Sequence, residues 1–95
     1  MACCGDQIQD QSPLRATPEM LASMPETTWC CMARMAYELA RVVTDANEPA
    51  WAVMPIQSRE AWAQMLRRAL TQDELPAAPF DLAVVKAARV MVNAA

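Results

Sequence analysis

Glycine occurs once in this chain, at Gly5. Sheet proteins turn between strands through tight hairpins whose favoured types place glycine at positive φ, whereas helix interiors are better without it. A chain of 95 residues that uses a single glycine therefore predicts an all-α fold. The length limits it to one domain, and one that buries a smaller share of its surface than a large domain does. Hydrophobic residues make up 55% of the sequence, but 19 of them are alanine. Core volume has to come from Leu, Val, Met, Ile and the few aromatics.

With a single glycine, proline punctuates the chain. Residues 1–16 are polar, with only Ile8 and Leu14 as large apolar side chains, and read as an extended N-terminal arm that rests on its own domain or on a neighbour. Residues 17–95 read as a single helical domain. Thr17-Pro18-Glu19 predicts a helix start by cap, first-turn proline and dipole, and Pro25 limits that helix to 18–23. A second helix is expected from about Glu26 to Asp45. Its stripe is Trp29, Met32, Ala36, Leu39 and Val43, widened by Ala33, Tyr37 and Ala40. Glu38–Arg41 and Arg41–Asp45 are at ion-pair spacing. A third helix is expected over Arg59–Thr71, capped by Ser58, and a fourth over 82–92, capped by Asp81. Leu82, Val85, Ala88 and Val92 make one stripe of the fourth helix, with Val84, Ala87 and Met91 beside it. So little polar surface calls for burial on two sides. The expected architecture is a small bundle built on a central helix–loop–helix hairpin.

The residues present exclude much chemistry. There is no histidine, so no imidazole base and no Ser-His or Cys-His pair. No glycine-rich loop can cradle a phosphate. The expectation is a protein that is not an enzyme and holds no cofactor. The net charge of −3 argues against a nucleic-acid partner, which would need a basic face. No apolar run is long enough to cross a membrane, and the first residues lack the pattern of a signal peptide.

The four cysteines form adjacent pairs, Cys3-Cys4 and Cys30-Cys31. Neighbours on a helix point about 100° apart, which suits a shared metal ion poorly. Reduced, metal-free thiols acting as small apolar side chains are expected; a disulfide from the arm to the second helix and a four-cysteine zinc site are the alternatives. Six of the eight methionines, Met20, Met24, Met32, Met35, Met54 and Met65, serve either as core filling or as an adaptable binding surface, with core filling the expected use. Arg59, Arg67 and Arg68 are the densest basic group and the candidate anion contacts.

One connection stands apart. Between the second and third helices lie about a dozen residues containing Trp51, Val53 and Ile56, bracketed by Pro49 and Pro55. That is too long for a tight helical turn and too apolar for an exposed loop. The expectation is a tuck, with Trp51 plugging the open end of the hairpin, Trp62 entering from the third helix and Trp29 closing the other end.

The segment from Met32 to Leu70 resembles small helical bacteriophage proteins, and is similar to the short ryanodine-receptor-type repeat domains of phage genomes. The resemblance is carried by Tyr37-Glu38, Trp51, Met54-Pro55, Arg59 and Trp62; that repeat usually has histidine where Tyr37 stands. It implies a phage-type origin, and with it a place in the virion or the host cytoplasm. Taken together, these features predict a non-enzymatic interaction protein whose partner is protein, either its own copies or virion neighbours. The interaction and structural candidates are Trp29, Tyr37, Trp51, Trp62, Val84 and Met91, with the fourth helix and the arm touching another chain. The alternatives are a small module gripping a nucleotide-like or acidic ligand between Trp51, Tyr37 and the arginines, and an inhibitor of a host protein.

Overall fold

The computed structural model describes residues 17–94, and the chain is all-α. Four helices follow in order: α1 Pro18–Ala22, α2 Glu26–Thr44, α3 Ile56–Gln72 and α4 Pro79–Ala94. A short 3-10 turn, Trp51–Val53, interrupts the α2–α3 connection. The expected N-terminal arm lies outside the described residues.

Local chemistry accounts for the helix ends. Thr17 Oγ1 accepts the Met20 N–H at 3.1 Å and caps α1, with Pro18 at its first position. α2 and α3 share one kind of entry, a Met-Pro pair. The Pro25 carbonyl accepts from the Thr28 and Trp29 amides, and the Pro55 carbonyl from the Ser58 and Arg59 amides. Ser58 is therefore inside the first turn of α3 rather than its cap, and the helix starts three residues before the expected Arg59. α4 likewise starts at Pro79, placing Asp81 in its first turn and not at its cap. A proline at the first helical position loses no hydrogen bond, since that amide has no partner within the helix.

The helix exits show how the chain manages without glycine. α2 ends at Asp45 with φ 54° and α3 at Asp73 with φ 58°, both left-handed. Glycine usually fills this position; aspartate is among the few side chains that tolerate it.

α2 packs chiefly on α4 and then on α3, α1 rests on α3, and α3 touches α4. Trp29, Tyr37, Leu21, Leu66, Val84 and Val85 are the largest fully buried side chains. Between them, the helices meet through alanines: Ala33, Ala36 and Ala40 of α2, Ala63 and Ala69 of α3, and Ala88 of α4 are all buried. Small side chains let helix axes approach closely.

Two sequence expectations change here. The buried face of α2 is Trp29, Ala33, Ala36, Tyr37 and Ala40. Leu39 and Val43, expected in its stripe, are 45% and 72% exposed. Val84 of α4, expected on a face open to another chain, is fully buried in this chain's own core, and Met91 packs partly buried against it. The two-sided burial that α4 requires is supplied within the domain by α2 and α3.

Candidate functional site

The middle of α2 collects most of the residues singled out in the sequence. Tyr37 is buried at the centre of an aromatic cluster, with ring centroids 5.6 Å from Trp51, 5.2 Å from Trp62 and 5.5 Å from Phe80. Trp62 and Phe80 also meet edge to face at 5.8 Å. Such tilted and T-shaped contacts suit the ring quadrupoles. Phe80 was missed in the sequence because it follows Pro79 in what reads as a loop; a lone phenylalanine just inside a proline-started helix is the signal that would have found it.

The tucked loop is fixed to α2 and α3 through its backbone. The Tyr37 hydroxyl donates to the Pro49 carbonyl at 2.6 Å. Glu38 Oε2 accepts the Trp51 N–H at 2.6 Å, and Arg41 Nε donates to the Glu48 carbonyl at 3.0 Å. From the other side, Arg59 donates to the carbonyls of Trp51 and Ala52 at 3.2 and 2.9 Å. Arg41 also binds Glu38 Oε1. The Trp51 amide holds the Glu38 carboxyl below the usual glutamate range, against the opposing effect of its burial and with help from Arg41. Burial, reinforced by Glu48, pushes the Tyr37 hydroxyl up. Trp51 is 7% exposed, so its ring tucks against Tyr37 as expected, but Val53 and Ile56, expected to be covered with it, are 72% and 64% exposed: Trp51 and Met54 turn inward, and the residues on the other side of the connection face out.

Tyr37, Glu38, Trp51, Arg59 and Trp62 thus converge, but on a closed cluster. The rings pack on one another instead of lining a cleft. A pocket of about 150 Å³ sits beside them, lined by Ala61, Trp62, Met65 and Asp81. It contains neither Tyr37 nor Trp51, and none of the three arginines. The candidate anion contacts do not come together. Arg59 holds the 3-10 turn. Arg67 donates to the Ala22 carbonyl at the end of α1 at 3.1 Å and lies 3.8 Å from Glu26. Arg68 lies 3.8 Å from Glu74. Each guanidinium is engaged with a different part of its own chain.

Trp29 is buried in the first turns of α2, and its Nε1–H finds no acceptor among the described residues. Arg41, expected to pair with Asp45 as well as Glu38, turns to Glu48 instead, and Asp45 makes no ion pair among the described residues. Cys30 is half-buried and Cys31 exposed, both as free thiols; burial, with Glu26 and Glu60 nearby, raises the Cys30 thiol pKa. Cys3 and Cys4, and with them the disulfide and zinc alternatives, lie outside the described residues. Met54 is buried; Met24, Met32 and Met65 pack against the core, while Met20 and Met35 are exposed.

Met20, Val53, Ile56, Leu75 and Val90 are exposed at scattered places, but on one side of α2 four large apolar side chains lie open together. Met35, Leu39, Val42 and Val43 are 53%, 45%, 77% and 72% exposed. Their spacing of four, three and one places them on one face of the helix. No family model matches this sequence, and neither a curated protein nor a solved structure is similar enough to it to count as a relative.

Proposed function

We propose that this chain is a non-enzymatic interaction protein of phage type, which works by assembly with other protein chains in a virion or in the host cytoplasm, and that the open face of α2 is its docking surface. The observation that carries this reading is the run of four large apolar side chains, Met35, Leu39, Val42 and Val43, left uncovered on one helix face. A contiguous apolar patch on a small protein marks a site of contact. The inward-facing groups support it from the other side. The aromatic rings, Glu38, Arg41 and Arg59 are used in holding the fold, which leaves the ligand-gripping alternative without an open aromatic cleft. The phage attribution rests on the resemblance carried by Tyr37-Glu38, Trp51, Met54-Pro55, Arg59 and Trp62.

A photoreactive amino acid in place of Val42, incorporated in cells of the source, tests the reading. It should give covalent adducts to protein, while the same group in place of exposed Lys86 gives none. Adducts from neither position, or equally from both, would overturn the assignment of α2.

A further inference from the structure

The polar border of the α2 face has a pattern of its own. Arg34, Glu38, Arg41 and Asp45 follow one another along the helix at spacings of four, three and four, so they form a single strip on one side of the exposed stripe. Their charges alternate, plus, minus, plus, minus. Read in the opposite direction the strip is minus, plus, minus, plus. It is the complement of itself when two copies run antiparallel, the arrangement in which a two-fold brings the same flank of both helices together; a parallel two-fold would put the two strips on opposite sides of the interface. Both pairings, 34 with 45 and 38 with 41, are centred on the same point of the helix, between Leu39 and Ala40.

The inner and outer members of the strip are not equivalent. Glu38 and Arg41 neutralise each other and bind the tucked loop. Arg34 and Asp45, about 16 Å apart along the axis, are exposed and make no ion pair among the described residues.

We infer that the occupant of the α2 face is a second copy of this chain, docked antiparallel about a two-fold axis at Leu39–Ala40. This deepens the docking reading above and rests on it. The two-fold puts Leu39 beside the partner's Leu39 and Met35 beside the partner's Val43. It places Arg34 against the partner's Asp45, and Asp45 against the partner's Arg34. A symmetric dimer uses the same patch twice, so a self-complementary border is what such an interface requires. Charge complementarity of this kind fixes register, and only the antiparallel arrangement lets the two strips meet. Four partly exposed side chains supply roughly half of the area a standard interface takes from each partner. The dimer is therefore weak, with micromolar dissociation, and its two charged rungs make it weaken as salt rises.

Sedimentation equilibrium of the intact chain, from low micromolar to near-millimolar concentration, should show the mass approaching twice the monomer. Val42→Glu should raise the dissociation constant by at least about tenfold with the helical circular dichroism unchanged. Arg34→Asp and Asp45→Arg should each weaken association alone, because each homodimer then has two like-charged rungs. An equimolar mixture of the two should restore it, since every rung becomes attractive. Asp45 occupies a left-handed position that a long side chain resists. Should Asp45→Arg lose its fold, Asp45→Asn keeps that conformation, and it should weaken association and lessen its salt dependence.

A chain that stays monomeric throughout overturns the second copy. In that case Val42 adducts to a different protein would leave the docking surface standing, and no adducts would remove both. Association that Val42→Glu abolishes, but that neither the charge-swapped mixture restores nor Asp45→Asn alters, overturns the antiparallel arrangement.

Discussion

The outer faces of α2 and α4 are made of similar side chains and meet different surroundings. Val84, Val85 and Ala88 of α4 are buried, and Val90 is the one large apolar residue of that helix left largely exposed among those described. On α2, four of them stand in the open. The cause is position in the bundle. α4 lies against both α2 and α3, so nearly its whole apolar circumference finds cover. α2 is covered by α4 and α3 on one side and by the tucked loop on another, and nothing in the described chain covers the third. A helix's composition sets how much burial it needs; the number of its neighbours decides whether it gets it.

The sharpest way to break this comparison is to place the same charge on both faces. Val84→Glu should cost about 4 kcal/mol or more, because an unpaired carboxylate would enter a packed core. Val42→Glu should change stability by less than about 0.5 kcal/mol. Thermal or denaturant unfolding at low protein concentration, where association does not contribute, reads both. Similar losses at the two positions would mean that the faces are not different in kind.

Next comes the loop that covers the second side of α2. Trp51→Ala should destabilise by about 3–5 kcal/mol, the usual range for a buried aromatic, and should expose Tyr37 and Trp62 to quenchers of fluorescence. A loss below about 1 kcal/mol would show that α2 does not depend on this cover.

The smallest effect concerns pH. Glu38 binds the Trp51 amide as a carboxylate, and its pKa in the folded chain lies below its unfolded value. Its contribution is then fully present above the ordinary glutamate pKa of about 4.3 and is lost as pH falls through the lower folded value. Unfolding of the parent chain and of Glu38→Gln should differ at neutral pH and converge in acid. A gap that stays constant as the solution is acidified well below the ordinary glutamate pKa would detach the loop anchor from this charge.

How much of this was legible beforehand depended on the residue in question. The caps at Thr17, the ends of α2 and the tuck of Trp51 followed from strong local signals: a hydroxyl before proline, a long amphipathic run, and apolar residues between two prolines. The rotation of the α2 face did not. Periodicity weighs large side chains, and Leu39 and Val43 outscore Ala33, Ala36 and Ala40. Close helix packing selects for the small ones, which are the residues buried here. With 19 alanines, two stripes a fraction of a turn apart fit the pattern equally well, and only the neighbours choose between them. The starts of α3 and α4 were misplaced for a simpler reason. Ser58 and Asp81 are good caps, but Pro55 and Pro79 stand three and two residues ahead of them, and proline begins a helix as readily. The arginines illustrate the same limit at the site: their clustering in sequence was visible, while their three separate backbone and carboxylate partners depended on how α1, α3 and the loop come together.

Apart from the buried Trp51 and Met54, the connection between α2 and α3 is gripped by its main chain. Tyr37, Arg41 and Arg59 reach carbonyls of residues 48, 49, 51 and 52, and Glu38 reaches the amide of residue 51. Peptide groups are the same whatever side chain they carry, so the clamp is indifferent to identity at most of these positions. Apart from Trp51, Met54 and the flanking prolines, the loop can change its outward residues, Glu48, Ala52 and Val53 among them, without loosening its seat. Its outward side chains are therefore open to substitution, and a graft of other residues at 48, 52 and 53 would sit on the same mount.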